Sequence, residues 1–358
     1  MAKVPISVCI IAKNEERYIE NCLRHLLPYG MEIVVVDTGS TDNTKQIAQK
    51  YTNHVYDFTW VGDFSAARNF AASKASNNWI LVLDCDEYIQ ELDMPKLRMC
   101  MQKYAKNVGV INILNVYIKD GKETLQPNEV PRFYNRNYYD YRFRIHEQIT
   151  PKKAVDFNEV VLETFRMPLS VKHYGYDISE PEMMKKQERN LELLKASIGE
   201  NEGMDDYLYF QIGQSYNILH DYEQAILAYD MSLEINTNPE KKFLIICLES
   251  YADCLMKVNR NEDAYKLLDI NRDYLKTTRL WYLFGKAAYL CKDFDIAYIN
   301  LTKVAEAEDV ELLGDDVFDV YERIFAICNA KRDAQKLEFY KNKLIAYGNQ
   351  HGKKIVFE

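Results

Sequence analysis

No apolar run in this 358-residue chain approaches the length of a membrane span, so no membrane-crossing helix is expected. An excess of base is also missing. The formal net charge is −9, which argues against binding a phosphate backbone and makes nucleic acid an unexpected partner. The eight cysteines (9, 22, 85, 100, 247, 254, 291 and 328) form no C-x-x-C and no regular spacing, so no zinc site is visible. Most fall in apolar segments and read as small buried hydrophobes of a reducing, cytoplasmic protein. A leader is not evident either. Pro5 to Ala12 is too short, and too soon followed by Lys13-Asn14-Glu15-Glu16, to be a signal peptide. What remains is ordinary for a soluble globular chain, 47% hydrophobic and 28% charged, and long enough for two domains.

The most informative stretch is Trp79 to Glu87. Five apolar residues in a row, Trp79 to Leu83, read as a strand buried on both faces, and Asp84-Cys85-Asp86-Glu87 follows at its end. If the extended chain continues, Asp84 and Asp86 point one way and Cys85 the other. Two convergent carboxylates there suit a hard divalent cation that shares its remaining positions with phosphate oxygens. A solvated acidic turn is the plainer explanation, because D-x-D alone is common.

Upstream, Ile6 to Ala12 reads as a first buried strand, and Lys13 to about Leu27 as a helix ended by Pro28-Tyr29-Gly30. Glu32 to Val36 is a second strand. The polar cluster Asp37 to Thr44 then caps a helix through Tyr51, with Asp42 or Thr41 as N-cap. His54 to Phe58 reads as a third strand, and Asp63 to Asn69 leads an Ala-rich helix into the strand at Trp79. Strands alternating with helices predict an α/β fold with a parallel, doubly wound sheet and its functional loops along one edge.

Four segments in order, S-V-C-I-I-A-K-N-E-E, I-V-V-V-D-T-G-S-T-D-N-T, F-S-A-A-R-N and L-V-L-D-C-D-E, resemble the inverting family 2 glycosyltransferases of GT-A fold. The resemblance implies that Asp37 reads the nucleotide base and that Arg68 lies near the nucleotide and its diphosphate. It implies the same donor site for Ala12, Asn14, Glu15 and Asp84, and a metal-binding D-x-D at Asp84 and Asp86. Residue chemistry agrees: a strand-end carboxylate can accept a base N–H, and a guanidinium suits phosphate oxygens. The plainer readings are a turn-forming aspartate and a surface helix charge.

Val108 to Ile118 is the next strand, with a turn at Asp120-Gly121. Arginines and aromatics interleave from Pro131 to Phe143. They read as edge strands rather than a base-stacking platform, given the acidic balance. Arg144-Ile145-His146-Glu147 and His173-Tyr174-Gly175-Tyr176, ahead of a helical tail, resemble the sublancin-type peptide S-glycosyltransferases within family 2. On an extended chain His146 and Glu147 face opposite ways, so one of them faces the sugar. Both are candidates for the catalytic base, and His173 is a candidate third metal ligand. A lone histidine is otherwise more often structural.

Residues 179–203 read as a helical linker, loosest at Gly199 to Gly203, closing a GT-A domain at 1–178. From 204 to 358 the pattern is all-helical and repeats. Tyr209, Ile212, Gly213, Tyr216, Ala225, Tyr229 and Pro239 follow the tetratricopeptide pattern of about 34 residues. Leu248 to Leu268 and Trp281 to Leu301 repeat it, and a degenerate copy runs from Phe318 through Ala334. Small residues at the Gly and Ala positions let paired helices pack closely. Such stacks bind extended peptides or proteins; a stabilising cap, or a surface pairing two subunits into a homodimer, is the alternative.

The expected function is metal-dependent transfer from a UDP-linked sugar, with Mg2+ or Mn2+, to a peptide cysteine or serine or to a glycan. One alternative is an enzyme extending a glycan or lipid-linked sugar; another is a repeat-based scaffold with an inactive transferase domain.

Overall fold

The computed structural model describes residues 4–119, 122–153, 162–175, 180–198, 205–236 and 238–352. The turn expected at Asp120-Gly121, the loop at Gly199 to Gly203 and Tyr176 lie outside the described residues. The chain divides into two compact units, Met1–Met204 and Asp205–Glu358.

The described residues of the first unit form ten strands: β1 (Ile6–Ala12), β2 (Glu32–Asp37), β3 (Val55–Asp57), β4 (Trp79–Val82), β5 (Glu87–Leu92), β6 (Val108–Lys119), β7 (Lys122–Asn135), β8 (Tyr139–Arg142), β9 (Gln148–Pro151) and β10 (Thr164–His173). Its helices are α1 (Ile19–Leu26), α2 (Thr44–Ala48), α3 (Phe64–Lys74), α4 (Met94–Lys103) and α5 (Glu180–Ala196). Eight strands form one sheet in the order β3-β2-β1-β4-β7-β6-β10-β5, and β8 pairs with β9 apart from it.

From β3 to β4 the sheet is parallel, as the alternation of strands and helices predicts. Beyond β4 it is mixed. β7 runs antiparallel to both β4 and β6, and β5 is antiparallel to β10. The parallel part that the alternation predicts thus ends at β4, and β7 pairs antiparallel with β6 out to Lys119 and Lys122. Phe133 to Asn135 are likewise not on an edge, since they lie between β4 and β6.

Both faces of the parallel half are covered, which explains its continuous apolar runs. Val8, Ile10, Leu81 and Leu83 pack with Ile19, Leu23 and Leu26 of α1. Cys9, Val34, Val36, Ile80 and Val82 meet Ala71 and Ala72 of α3 on the other side.

The β6–β7 hairpin pairs out to Lys119 and Lys122, while β4 joins β7 only over Phe133–Asn135. No strand pairs with the outer edge of β7 before Phe133 among the described residues. That stretch carries Pro127 and Pro131.

The described residues of the second unit form four helix pairs: α6 (Asp205–Ile218) with α7 (Tyr222–Ile235), α8 (Phe243–Lys257) with α9 (Asn261–Ile270), α10 (Thr278–Leu290) with α11 (Phe294–Ala305), and α12 (Asp316–Ala330) with α13 (Ala334–Gln350). The small-residue positions act as expected. A Cβ on Gly213 would stand 2.5 Å from the Tyr229 ring, and one on Gly285 would stand 2.7 Å from Leu301.

A device that the sequence pattern does not reveal recurs at every pair. His220, Asn259, Lys292 and Arg332 take left-handed φ at the four tight turns. In three of them the next residue, Asp221, Asp293 or Asp333, caps the following helix through its side chain. Asp293 accepts from Ile296 N and also from the Tyr265 hydroxyl at 2.7 Å. Asp293→Ala should cost about 1 kcal/mol, the usual loss for a helix cap, read as a lower denaturation midpoint of the repeat unit. An unchanged midpoint would show that the turn holds without its cap. None of the described helices is long and apolar enough to cross a membrane.

Candidate active site

After β1 the chain builds outward to β2 and β3, then returns to place β4 on the other side of β1. That reversal leaves a crevice at the carboxyl ends of β1 and β4, the place where open α/β sheets bind ligands. A cavity of about 930 Å3 lies there, and Ala12, Asn14, Glu15, Arg68, Asp84 and Asp86 all line it, with His146, Glu147 and His173. Asp37 is not part of the lining, but its neighbour Thr38 is.

The loop after β1 departs from the helix expected at Lys13. Asn14 has φ 58°, and α1 starts only at Ile19. Side chains of the loop after β2 take the backbone N–H groups instead: Asn14 N donates to Ser40, Glu15 N to Thr44 at 2.7 Å and Glu16 N to Asp42. Short polar side chains compete with helical pairing in this way. The second loop is tied in the same manner. Asp37 Oδ1 accepts from Gly39 N and Ser40 N, while Asp37 Oδ2 is buried with no partner. The turn-forming reading of Asp37 is therefore true of one oxygen only.

Under the cavity, three carboxylates meet two guanidinium groups. Arg68, 6% exposed, donates from Nη2 to Asp84 Oδ1 at 3.0 Å and from Nε to Glu147 Oε1 at 2.6 Å. Arg132 Nη2 reaches Asp84 Oδ2 at 2.7 Å and Glu87 Oε1 at 3.1 Å. Glu87 closes the turn by accepting from Asp84 N through Oε2. Burial disfavours the Asp84 charge, but Arg132 and Arg68 outweigh it and hold its carboxyl well below the usual range. Glu87 is pushed up to about 7, chiefly by burial. Glu15 also rises to about 7 through burial and the charges of Asp86 and Asp84.

The D-x-D is a turn rather than the end of a strand, for β4 stops at Val82. Simple alternation therefore does not orient it, and Cys85 lines the cavity wall too, although its thiol lies toward Ile11 O. The two aspartates differ in kind. Asp84 is engaged by an arginine at each oxygen, whereas Asp86 Oδ2 stands 3.4 Å from His173 Nε2. His173 Nδ1 faces Asn115 Oδ1 at 2.9 Å, in register across β6 and β10, so the ring presents its other nitrogen to Asp86. Gly175 passes so close that a Cβ there would sit 2.4 Å from both Asp86 Oδ2 and His173 Nε2. An imidazole nitrogen and a carboxylate oxygen aimed into one gap, with the ring fixed from behind, fit a divalent cation. No set of three or more such side chains forms a cage among the described residues, so further ligands would come from substrate or water.

His146 and Glu147 are not on an extended segment. Phe143 and His146 have φ of 75° and 52°, and both His146 and Glu147 line the cavity. The expectation of opposite faces is corrected by these two left-handed residues. Hydrogen bonds from Ser65 Oγ to Phe143 O and from Phe64 N to Arg144 O pin the loop to the start of α3. Burial lowers the His146 pKa below its ordinary value, with the Glu147 charge opposing.

Three contributors escape sequence reasoning. Arg132 becomes relevant only once β7 is known to lie beside β4. Asn115 matters only through its register with His173. The face of α5 that enters the cavity reads, in sequence, as a solvated helix. Glu87 alone carried a signal, its place directly after the D-x-D.

Residues 7–157, less than half of the chain, match the model of "Glycosyl transferase family 2". A TPR repeat-containing protein of Synechococcus elongatus is 30% identical over 59% of this chain and 52% of its own length. The SPbeta prophage-derived glycosyltransferase SunS of Bacillus subtilis is 26% identical over 74% of this chain and 62% of its own. The chain thus spans between half and two thirds of these relatives. A crystal structure of S. aureus TarS 1-349 in complex with UDP aligns at 15% identity with a TM-score of 0.35, over 85% of this chain and 92% of that one, too weak a likeness to bear on function. The family match thus lies wholly within the first unit, and the four helix pairs of the second follow it in the chain.

Proposed function

We propose that this chain transfers a sugar from a nucleotide diphosphate sugar, UDP-linked, to an acceptor nucleophile with inversion, assisted by Mg2+ or Mn2+. The observation that carries this reading is the gap between Asp86 and His173 at the mouth of the β1–β4 crevice, above a floor of paired arginines and carboxylates. Asp86 and His173 would hold the cation, whose charge would offset that developing on the departing diphosphate. The unpartnered Asp37 Oδ2 suits an N–H of the nucleotide base, since a buried acceptor left unpaired is costly. Asn14, Glu15 and Ala12 then border the nucleotide, with the loop after β2 holding their backbone in place. Arg68 and Arg132 fix Asp84 and Glu147 before substrate arrives, so little reorganisation accompanies reaction.

The acceptor proton goes to His146 or Glu147. Burial keeps His146 neutral at pH 7 and so able to accept a proton. Glu147 is anchored through Oε1, which leaves Oε2 for the acceptor. The repeat unit favours a peptide side chain, cysteine or serine, over a glycan. The full chain should release UDP from a UDP-sugar in the presence of Mn2+, faster once acceptor is supplied. A panel of nucleotide sugars giving no turnover and no nucleotide binding would favour the inactive scaffold instead.

A further inference from the structure

The cavity has a wall that the family match does not reach. Helix α5 lies beyond residue 157 but within the first unit, and turns Glu182, Lys185, Lys186, Arg189 and Asn190 into the cavity. These positions follow the i, i+3, i+4, i+7, i+8 spacing of one helical stripe. The opposite side of α5 buries Leu191 and Leu194, and Leu193 packs at Gly62, so the stripe is held facing inward.

The stripe is cationic where the floor is not. Arg68 and Arg132 are paired with Asp84, Glu87 and Glu147, so most of their charge is already offset. Asp86 adds a further carboxylate beside it. Of the lysines and arginines lining the cavity, Lys13 and the three on α5 are the ones outside that floor network. Arg189 lies over the Phe64 ring at 5.6 Å, which holds its guanidinium at the cavity wall. Lys186 lines the same cavity as Glu15 of the loop after β1.

Resting on the donor reading above, we infer that Lys186 and Arg189 of α5 grip the diphosphate of the nucleotide sugar. An ammonium and a guanidinium one helical turn apart match two adjacent phosphoryl groups. They supply positive charge that does not depend on a metal, and they make α5 part of the donor site.

The test uses the full chain and the K186Q/R189Q double variant, with UDP against uridine and GDP against guanosine as probes. Binding is followed by calorimetry with Mn2+ and, separately, with chelator. The nucleoside diphosphate should bind the variant about tenfold or more weaker, while the nucleoside changes by less than about twofold, with or without metal. Both side chains are solvent-accessible, so circular dichroism should stay unchanged. An equal diphosphate-to-nucleoside ratio in wild type and variant overturns the inference while leaving the donor reading standing. So does a variant whose only defect is a raised KM for the acceptor, which would assign the stripe to an acidic peptide. A wild-type chain that binds neither diphosphate removes the donor reading and this inference together.

Discussion

Asp86→Ala should abolish transfer and leave the protein folded. Its carboxylate pairs with His173 at the cavity and packs no core, so little stability is lost with it. Turnover should fall by at least about a thousandfold, the scale for removing a group that stabilises charge in a transition state. Metal-dependent nucleotide binding should disappear as well. Two milder variants bracket the result. Gly175→Ala puts a methyl 2.4 Å from both Asp86 Oδ2 and His173 Nε2, so it should displace the pair without touching either side chain's chemistry. Asn115→Ala removes only the support behind His173 and should cost about 10- to 100-fold in metal affinity. Full activity in chelator with Asp86 removed would sink the assignment.

The second large effect concerns the proton. If Glu147 is the base, Glu147→Gln keeps an oxygen for Arg68 but loses the proton acceptor. Turnover should then fall by roughly two to four orders of magnitude, with donor affinity near normal. His146→Ala would in that case act mainly on positioning. If His146 is the base, the ranking reverses, and activity should fail as pH drops through a value below the ordinary histidine range, because burial favours the neutral ring. A thiol acceptor adds a discriminating arm. Raising the pH supplies thiolate directly and should partly rescue whichever variant lacks the base, but not one that only misplaces the acceptor. Near-normal turnover in both variants would remove this loop from catalysis.

Much of the front unit was legible because its information is local. Apolar runs buried on both faces mark β1, β2 and β4, and the loops that follow them carry the motifs proposed to hold the donor. Reasoning from the chain failed where long-range pairing decides. The helix expected at Lys13 gave way to hydrogen bonds from a loop some 27 residues on, which no local propensity anticipates. The orientation of His146 and Glu147 turned on two left-handed residues, one of them a phenylalanine. Arg132 was read among edge strands, although its guanidinium reaches Asp84 in the turn after β4. The repeats were legible for the opposite reason, since each pair needs only its own neighbours to fix it.

The open outer edge of β7 bears on how the protein behaves when crowded. An unpaired strand edge is a template on which another chain can lay down a strand of its own. Pro127 and Pro131 have no N–H to offer, so a visiting strand would meet a ladder with missing rungs. Glu123 and Glu129 add charge along the same stretch, paired here with Lys172 and Arg166. The exposed stretch of β7 should therefore resist seeding fibres and keep the protein dispersed at concentrations where a smooth edge of the same length would not.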